Sequence, residues 1–181
     1  MTIDVGTVLR DKLGRRELDV ALLTSAGTAT HVVDEILGWV EFQWIASSTL
    51  ALADGPFTPT TAATLPIVTN PAPSTLNDAV KKWLRSGGVD FDGVNTSNSL
   101  QLMLRLVQAG HAVAVLPMPI LREQLEAGEL RQLPAQPPLP PLPYYASFVN
   151  DGVGSFASSL IAIAKSTLAA NDFFARAPTG S

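Results

Sequence analysis

Few side chains in this sequence have types and spacing suited to catalysis. His31 and His111 are the only imidazoles, and neither stands in a ligand pattern such as H-E-x-x-H. The absence of Cys removes disulfides, thiolate nucleophiles and Cys-based metal sites together. Neither a G-x-S-x-G nucleophile elbow nor a G-x-x-x-x-G-K-[ST] phosphate loop occurs, and the acidic residues are too scattered to define a carboxylate pair. The two histidines therefore read as structural or solvated, and no catalytic residue, cofactor or metal ligand is expected. One fragment, Gly152-Val153-Gly154-Ser155-Phe156-Ala157, fits the dinucleotide pattern G-x-G-x-x-A ahead of a helix. Only one helix follows it, and Asp172 lies at the end of that helix rather than on a second strand. The fragment reads as a Gly-rich turn that caps the terminal helix through Ser155.

Short polar groups at strand-to-helix junctions are more informative. They are Gly6-Thr7, Thr69-Asn70 leading to Ser74-Thr75, and the run Asn95-Thr96-Ser97-Asn98-Ser99. Helix N-termini carry free N–H donors and a dipole that favours anions. In open α/β sheets, ligands bind beyond the carboxyl ends of the strands. Each such residue could merely cap its helix, but three junctions of this kind in one chain point to a binding cleft.

The elements that must position these groups alternate between strand and helix. The pattern predicts a strand at Thr2–Gly6, a helix over Val8–Leu18, and a buried strand at Asp19–Leu23. A long extended segment follows from Glu35 to Ser47, then a loop over Ala51–Thr64 and a strand at Pro66–Asn70. Ser74 is placed to cap a helix over Thr75–Arg85 that stops at Gly87-Gly88. Val89–Thr96 reads as a strand, with Ser97 or Asn98 capping the helix Ser99–Ala109. Ala112–Leu116 reads as a buried strand ended by Pro117, Ile120–Glu126 as a short helix, Tyr144–Val149 as a strand and Ser155–Phe174 as the last helix. Pro134–Pro143 is a rigid connection in this scheme. The alternation predicts an α/β fold with mostly parallel sheets.

Composition narrows the function classes. The 181 residues hold 12 Lys and Arg against 16 Asp and Glu, a net charge of −4, which argues against a basic nucleic-acid-binding face. Charged residues make up 15 %, below the roughly 25 % of typical soluble domains. No run approaches the ~18 apolar residues of a membrane span, and charge at Asp4 and Arg10 interrupts any signal-peptide pattern. The expectation is a cytoplasmic protein.

The order of motifs resembles the effector-binding (substrate-binding) domain of LysR-type transcriptional regulators. Leu13-Gly14, Glu17-Leu18-Asp19 and Val20-Ala21-Leu22 are similar to that family's L-x-x-G-x-L-D-x-A-L/I segment, with Glu17 where Gly is common. Trp44-Ile45-Ala46-Ser47 resembles its crossover strand. Pro66-Ile67-Val68, Ser74-Thr75-Leu76, Ser99-Leu100 and Leu106-Val107 through Ala109-Gly110 follow in family order. Ala112-Val113-Ala114-Val115-Leu116-Pro117 then matches the end of V-x-A-G-x-G-I-A-x-L-P.

The resemblance implies a two-lobed, type II periplasmic-binding-protein-like α/β fold with lobe I incomplete at its N-terminal end. Lobe I would comprise residues 1–47 and 146–174, lobe II residues 48–145, and 175–181 a tail. It further implies a small effector, an anionic metabolite, held between the lobes by Thr7, Thr69, Asn70, Ser74, Thr96, Ser97, Asn98 and Pro117. A homodimer is expected if lobe I is completed. DNA would be reached only through a helix-turn-helix domain absent from this chain, with no membrane partner. A stand-alone solute-binding protein of the periplasmic type is the alternative with the same architecture.

Overall fold

The computed structural model describes residues 4, 6–27, 29–90, 93–150 and 154–174, apart from the side chains of 154–156. The chain divides into two compact units, residues 1–41 with 141–181, and residues 42–140.

The first unit contains helix α1 (Gly6–Gly14), strands β1 (Val20–Leu23) and β2 (Val32–Val40), and, from the end of the chain, β8 (Leu142–Val149) and α6 (Gly154–Ala170). Its three strands run in the order β1-β8-β2, and both pairings are antiparallel. Leu13 on α1 packs with Ala21 and Leu23 on β1, and Leu9, Leu18, Val32 and Val149 close around them. Lys165 on α6 pairs with Glu35 on β2.

The second unit contains β3 (Phe42–Ser47), α2 (Pro59–Ala62), β4 (Ile67–Thr69), α3 (Thr75–Ser86), β5 (Val94–Thr96) and α4 (Leu100–Gln108). It continues through β6 (Val113–Pro117), a 3-10 turn (Met118–Ile120), α5 (Arg122–Glu126) and β7 (Leu130–Gln132). The five strands are ordered β5-β4-β6-β3-β7. Central β6 is apolar at every position from Val113 to Leu116 and buried throughout, as a strand covered on both faces must be. One core groups Ile45, Val68, Ala114 and Leu116 with Met103 and Val107 of α4. Trp44 of β3 also sits 5.0 Å from Trp83 of α3 and 5.3 Å from Phe57, ring centre to ring centre.

Several expectations are corrected. The sheets are not mostly parallel: the three-stranded sheet is antiparallel, and the five-stranded sheet is mixed, with β4 parallel to β5 and β6 while β3 pairs antiparallel with both β6 and β7. Strand–helix alternation predicts parallel pairing, but β8 arrives from the far end of the chain and lies antiparallel between β1 and β2. The extended segment is two strands that part at exposed Glu41 and enter different sheets. Its second half, Phe42–Ser47, bonds to β6 and β7 and so groups with residues 42–140, while Leu142–Tyr145 group with the three-stranded sheet.

The 51–64 segment holds the short helix α2, signalled by Thr58 before Pro59: Thr61 N–H donates to Thr58 Oγ1 at 3.3 Å. Helix α1 begins at Gly6, the residue at which the sequence pattern ends a strand, and stops at Gly14 rather than Leu18. Thr2, Ile3 and Val5 of that expected strand lie outside the described residues, as do Gly152, Val153 and the tail.

Candidate functional site

The parallel core of the second unit brings three strand ends to one edge. Thr69 of β4 is in register with Thr96 of β5. Strand β6 runs parallel to β4 and ends at Pro117, which faces Phe42 at the amino end of antiparallel β3. The carboxyl ends of β4, β5 and β6 therefore share an edge, and α3 and α4 start from the connections that leave it. Doubly wound sheets place ligands at such an edge, because helix N-termini converge there.

Thr69 is 1 % exposed, and its Oγ1 has no hydrogen-bond partner among the described residues. Its carbonyl accepts the Ser97 N–H at 2.9 Å, which ties the β4 and β5 exits together. Ser74 occupies the N-cap of α3 in extended conformation, but its hydroxyl makes no capping bond. Asn70, half-buried, accepts from Asn77 Nδ2 through its carbonyl at 2.8 Å. Asn77 is 2 % exposed, and its Oδ1 is also buried without a partner among the described residues. A buried, unpaired polar atom costs about 1–3 kcal/mol, so two of them flanking one helix start is an arrangement that stability alone disfavours.

The β5 exit is organised differently. Ser99, not Ser97 or Asn98, caps α4, accepting the Leu102 N–H at 3.2 Å. Ser97 Oγ accepts the Ser99 N–H at 3.1 Å and donates to the Ser99 carbonyl at 3.3 Å, so its hydroxyl is engaged in a local turn. Thr96 and Asn98 are exposed, and Pro117 is half-buried.

The structure thus gathers Thr69, Asn70, Thr96 and Ser97 at the paired exits, with Ser74 at the start of α3 and Pro117 at the end of β6. Thr7 belongs to the other unit, as the second residue of α1. Asn77 is a residue that sequence reasoning missed. Its signal is a polar residue on the inward face of an amphipathic helix, beside buried Leu76 and Val80.

The histidines carry structural contacts or face solvent. His31 Nε2 donates to the Gly14 carbonyl at 3.1 Å, and His111 is exposed. Among the described residues no cluster of His, Asp or Glu is arranged to hold a metal ion, and no helix is long and apolar enough to cross a membrane.

The family model described as LysR substrate binding domain matches residues 1–165. No curated protein matches the sequence. Among solved structures, the regulatory domain of the LysR-family regulator MetR from N. meningitidis is similar at TM-score 0.74 and 19 % identity, over 89 % of this chain and 75 % of that one. A full-length OxyR variant from Pseudomonas aeruginosa is similar at TM-score 0.71 and 19 % identity, over 90 % and 57 %. Full-length BenM is similar at TM-score 0.70 and 16 % identity, over 97 % and 59 %. These likenesses carry the two-lobed, type II periplasmic-binding-protein-like fold. With residues 1–165 of its 181 matched by the family model, the chain belongs to the LysR substrate-binding-domain family.

Proposed function

We propose that this effector-sensing domain binds a small anionic metabolite at the edge formed by the carboxyl ends of β4, β5 and β6, acting as a sensor and not as an enzyme in the cytoplasm. The observation that carries the reading is the buried Thr69 hydroxyl, unpartnered among the described residues beside a helix start whose N-cap serine leaves its own hydroxyl out of the cap. A carboxylate there would accept from Thr69 and Ser74, and from the first-turn N–H groups of α3 with their favourable dipole. Asn70, Thr96, Ser97, Asn98 and Pro117 would shape the edge around it. Thr7 is included on the family resemblance alone. An effector that favours one arrangement of the domain would shift an equilibrium read by an attached DNA-binding domain, as linkage requires.

A thermal-shift screen of small organic acids, followed by calorimetry on each stabilising acid, tests the proposal. Thr69→Val and Ser74→Ala are each expected to weaken binding by about 1–3 kcal/mol through loss of a hydrogen bond to charge. Thr7→Ala reads out whether the first unit contributes. Unchanged affinity in both Thr69→Val and Ser74→Ala would remove the edge from consideration.

A further inference from the structure

We propose that Phe173 and Phe174 form a releasable strap on the first unit, seated on the Gly38–Tyr144 pair, that sets the stiffness of the two-stranded ribbon from which both connections to the second unit depart. Strand β8 has β1 along one edge and β2 along the other only over Tyr145–Phe148. Beyond it, Gly38, Trp39 and Val40 face Tyr144, Pro143 and Leu142, with no third strand alongside among the described residues. The chain leaves this ribbon at Val40 for β3 and enters it at Leu142 from the Pro-rich connection. The device requires no ligand at the effector edge.

Such a ribbon is weak by itself, because two strands without a third are only marginally stable in water. Its register shifts between Ile36 and Gly38. Pro143 has no N–H to give to the ladder, and Gly38 has no side chain to pack against its cross-strand partner Tyr144. The strap supplies the missing packing. A Cβ on Gly38 would fall 2.7 Å from both Cδ1 and Cδ2 of Phe174, so that ring lies directly on the glycine backbone. Phe173 stands 5.5 Å from Phe174 at 88° and 6.3 Å from Tyr144 at 64°, ring centre to ring centre, in edge-to-face contact with both.

The turn that delivers the rings is built into the end of α6. Asp172 N–H donates to the Ala169 carbonyl at 3.2 Å, and Phe173 N–H donates to the Leu168 carbonyl at 3.0 Å. These are the two bonds of a Schellman cap, with Asp172 at φ +48° in the left-handed position that glycine usually takes. Asn171 Nδ2 adds a bond to the Thr167 carbonyl at 2.8 Å. Among the described residues, no main-chain hydrogen bond joins 173–174 to β2 or β8. Both rings are half-buried, and α6 has its own anchor on β2 in the Lys165–Glu35 pair. The strap can therefore lift without breaking a ladder bond or detaching α6, a local opening well short of unfolding.

The test is amide hydrogen exchange of the full chain, read at single residues by NMR. In the wild type, the Phe174 ring protons are expected to show nuclear Overhauser contacts to the Gly38 α-protons. Phe174→Ala removes the ring, and Gly38→Ala fills its seat. Each should speed exchange of the protected amides among 38–40, 142 and 144 about tenfold, the worth of an aromatic pair, while 20–23 keep wild-type rates. Phe174→Tyr keeps the ring and should keep the wild-type rates throughout. Unchanged ribbon exchange in Phe174→Ala, or no contact between Phe174 and Gly38 in the wild type, would overturn the strap. Equal acceleration at 20–23 would overturn it as well, by making the rings part of the general core.

Discussion

The Ser97 N–H donates to the Thr69 carbonyl at 2.9 Å, extending the β4–β5 ladder past its last paired residues, Thr69 and Thr96. This bond fixes the exits of two parallel strands to one another while leaving the Thr69 hydroxyl buried and unused. Backbone geometry at the edge is thus set by the sheet itself, without drawing on the Thr69 side chain.

Thr69→Val separates stability from binding. It exchanges a buried hydroxyl, unpartnered among the described residues, for a methyl group of similar shape. In urea unfolding without ligand, the variant should match the wild type or gain up to about 1 kcal/mol, since no hydrogen bond is lost and a desolvation cost is relieved. A loss above about 1 kcal/mol would mean the hydroxyl is already satisfied in the folded chain.

Gly87→Ala should loosen the packing of α2 on α3. A Cβ at Gly87 would fall 2.7 Å from Pro59 Cβ and 2.8 Å from Pro59 Cγ, closer than real contacts allow. Overpacking of this kind costs about 1–3 kcal/mol. Circular-dichroism melts against Gly110→Ala provide the contrast. At Gly110 the space is open, and only its φ of +72° opposes the substitution, at about 1 kcal/mol.

Trp83 Nε1 donates to the Pro137 carbonyl at 2.6 Å and so anchors the Pro-rich connection to α3. Trp83→Phe keeps an aromatic ring beside Trp44 but removes the donor. The expected loss is about 1–3 kcal/mol, because the ring also shrinks and a carbonyl is left unpaired. Denaturant unfolding measures it, and limited proteolysis should show faster cleavage within 134–140.

Stability should fall in strongly alkaline solution through Tyr144. Burial raises its phenol above the ordinary value of 10.0. The folded chain then holds this proton more tightly than the unfolded chain, so the contribution is fully present below pH 10.0 and is lost as pH rises through the folded pKa. Urea midpoints measured on either side of that value should decline for the wild type and decline less for Tyr144→Phe. Equal declines would place the alkaline sensitivity elsewhere.

Local sequence determined the elements whose signals are short-range. Ile67–Thr69, Thr75–Ser86, Leu100–Gln108 and Val113–Pro117 form close to where apolar periodicity, N-cap residues and glycine stops indicate them. The candidate edge residues on them were legible for the same reason: short polar groups between a buried strand and an amphipathic helix. Family membership, too, was visible in the order of Leu13-Gly14, Glu17-Leu18-Asp19 and Ala112 through Pro117.

Tertiary structure alone decided how those elements pair and which polar atoms remain unused. Strand direction depends on partners distant in the chain, so nothing within Leu142–Val149 reveals that it will lie antiparallel between β1 and β2. Nor does Glu35–Ser47 show where it will divide, because hydrogen bonds to β8 on one side and to β6 and β7 on the other make the break. Ser74 and Ser99 look alike in sequence, yet only Ser99 spends its hydroxyl on a cap. Residue type sets what a side chain can bond to, and only the packed surroundings set whether a partner is within reach.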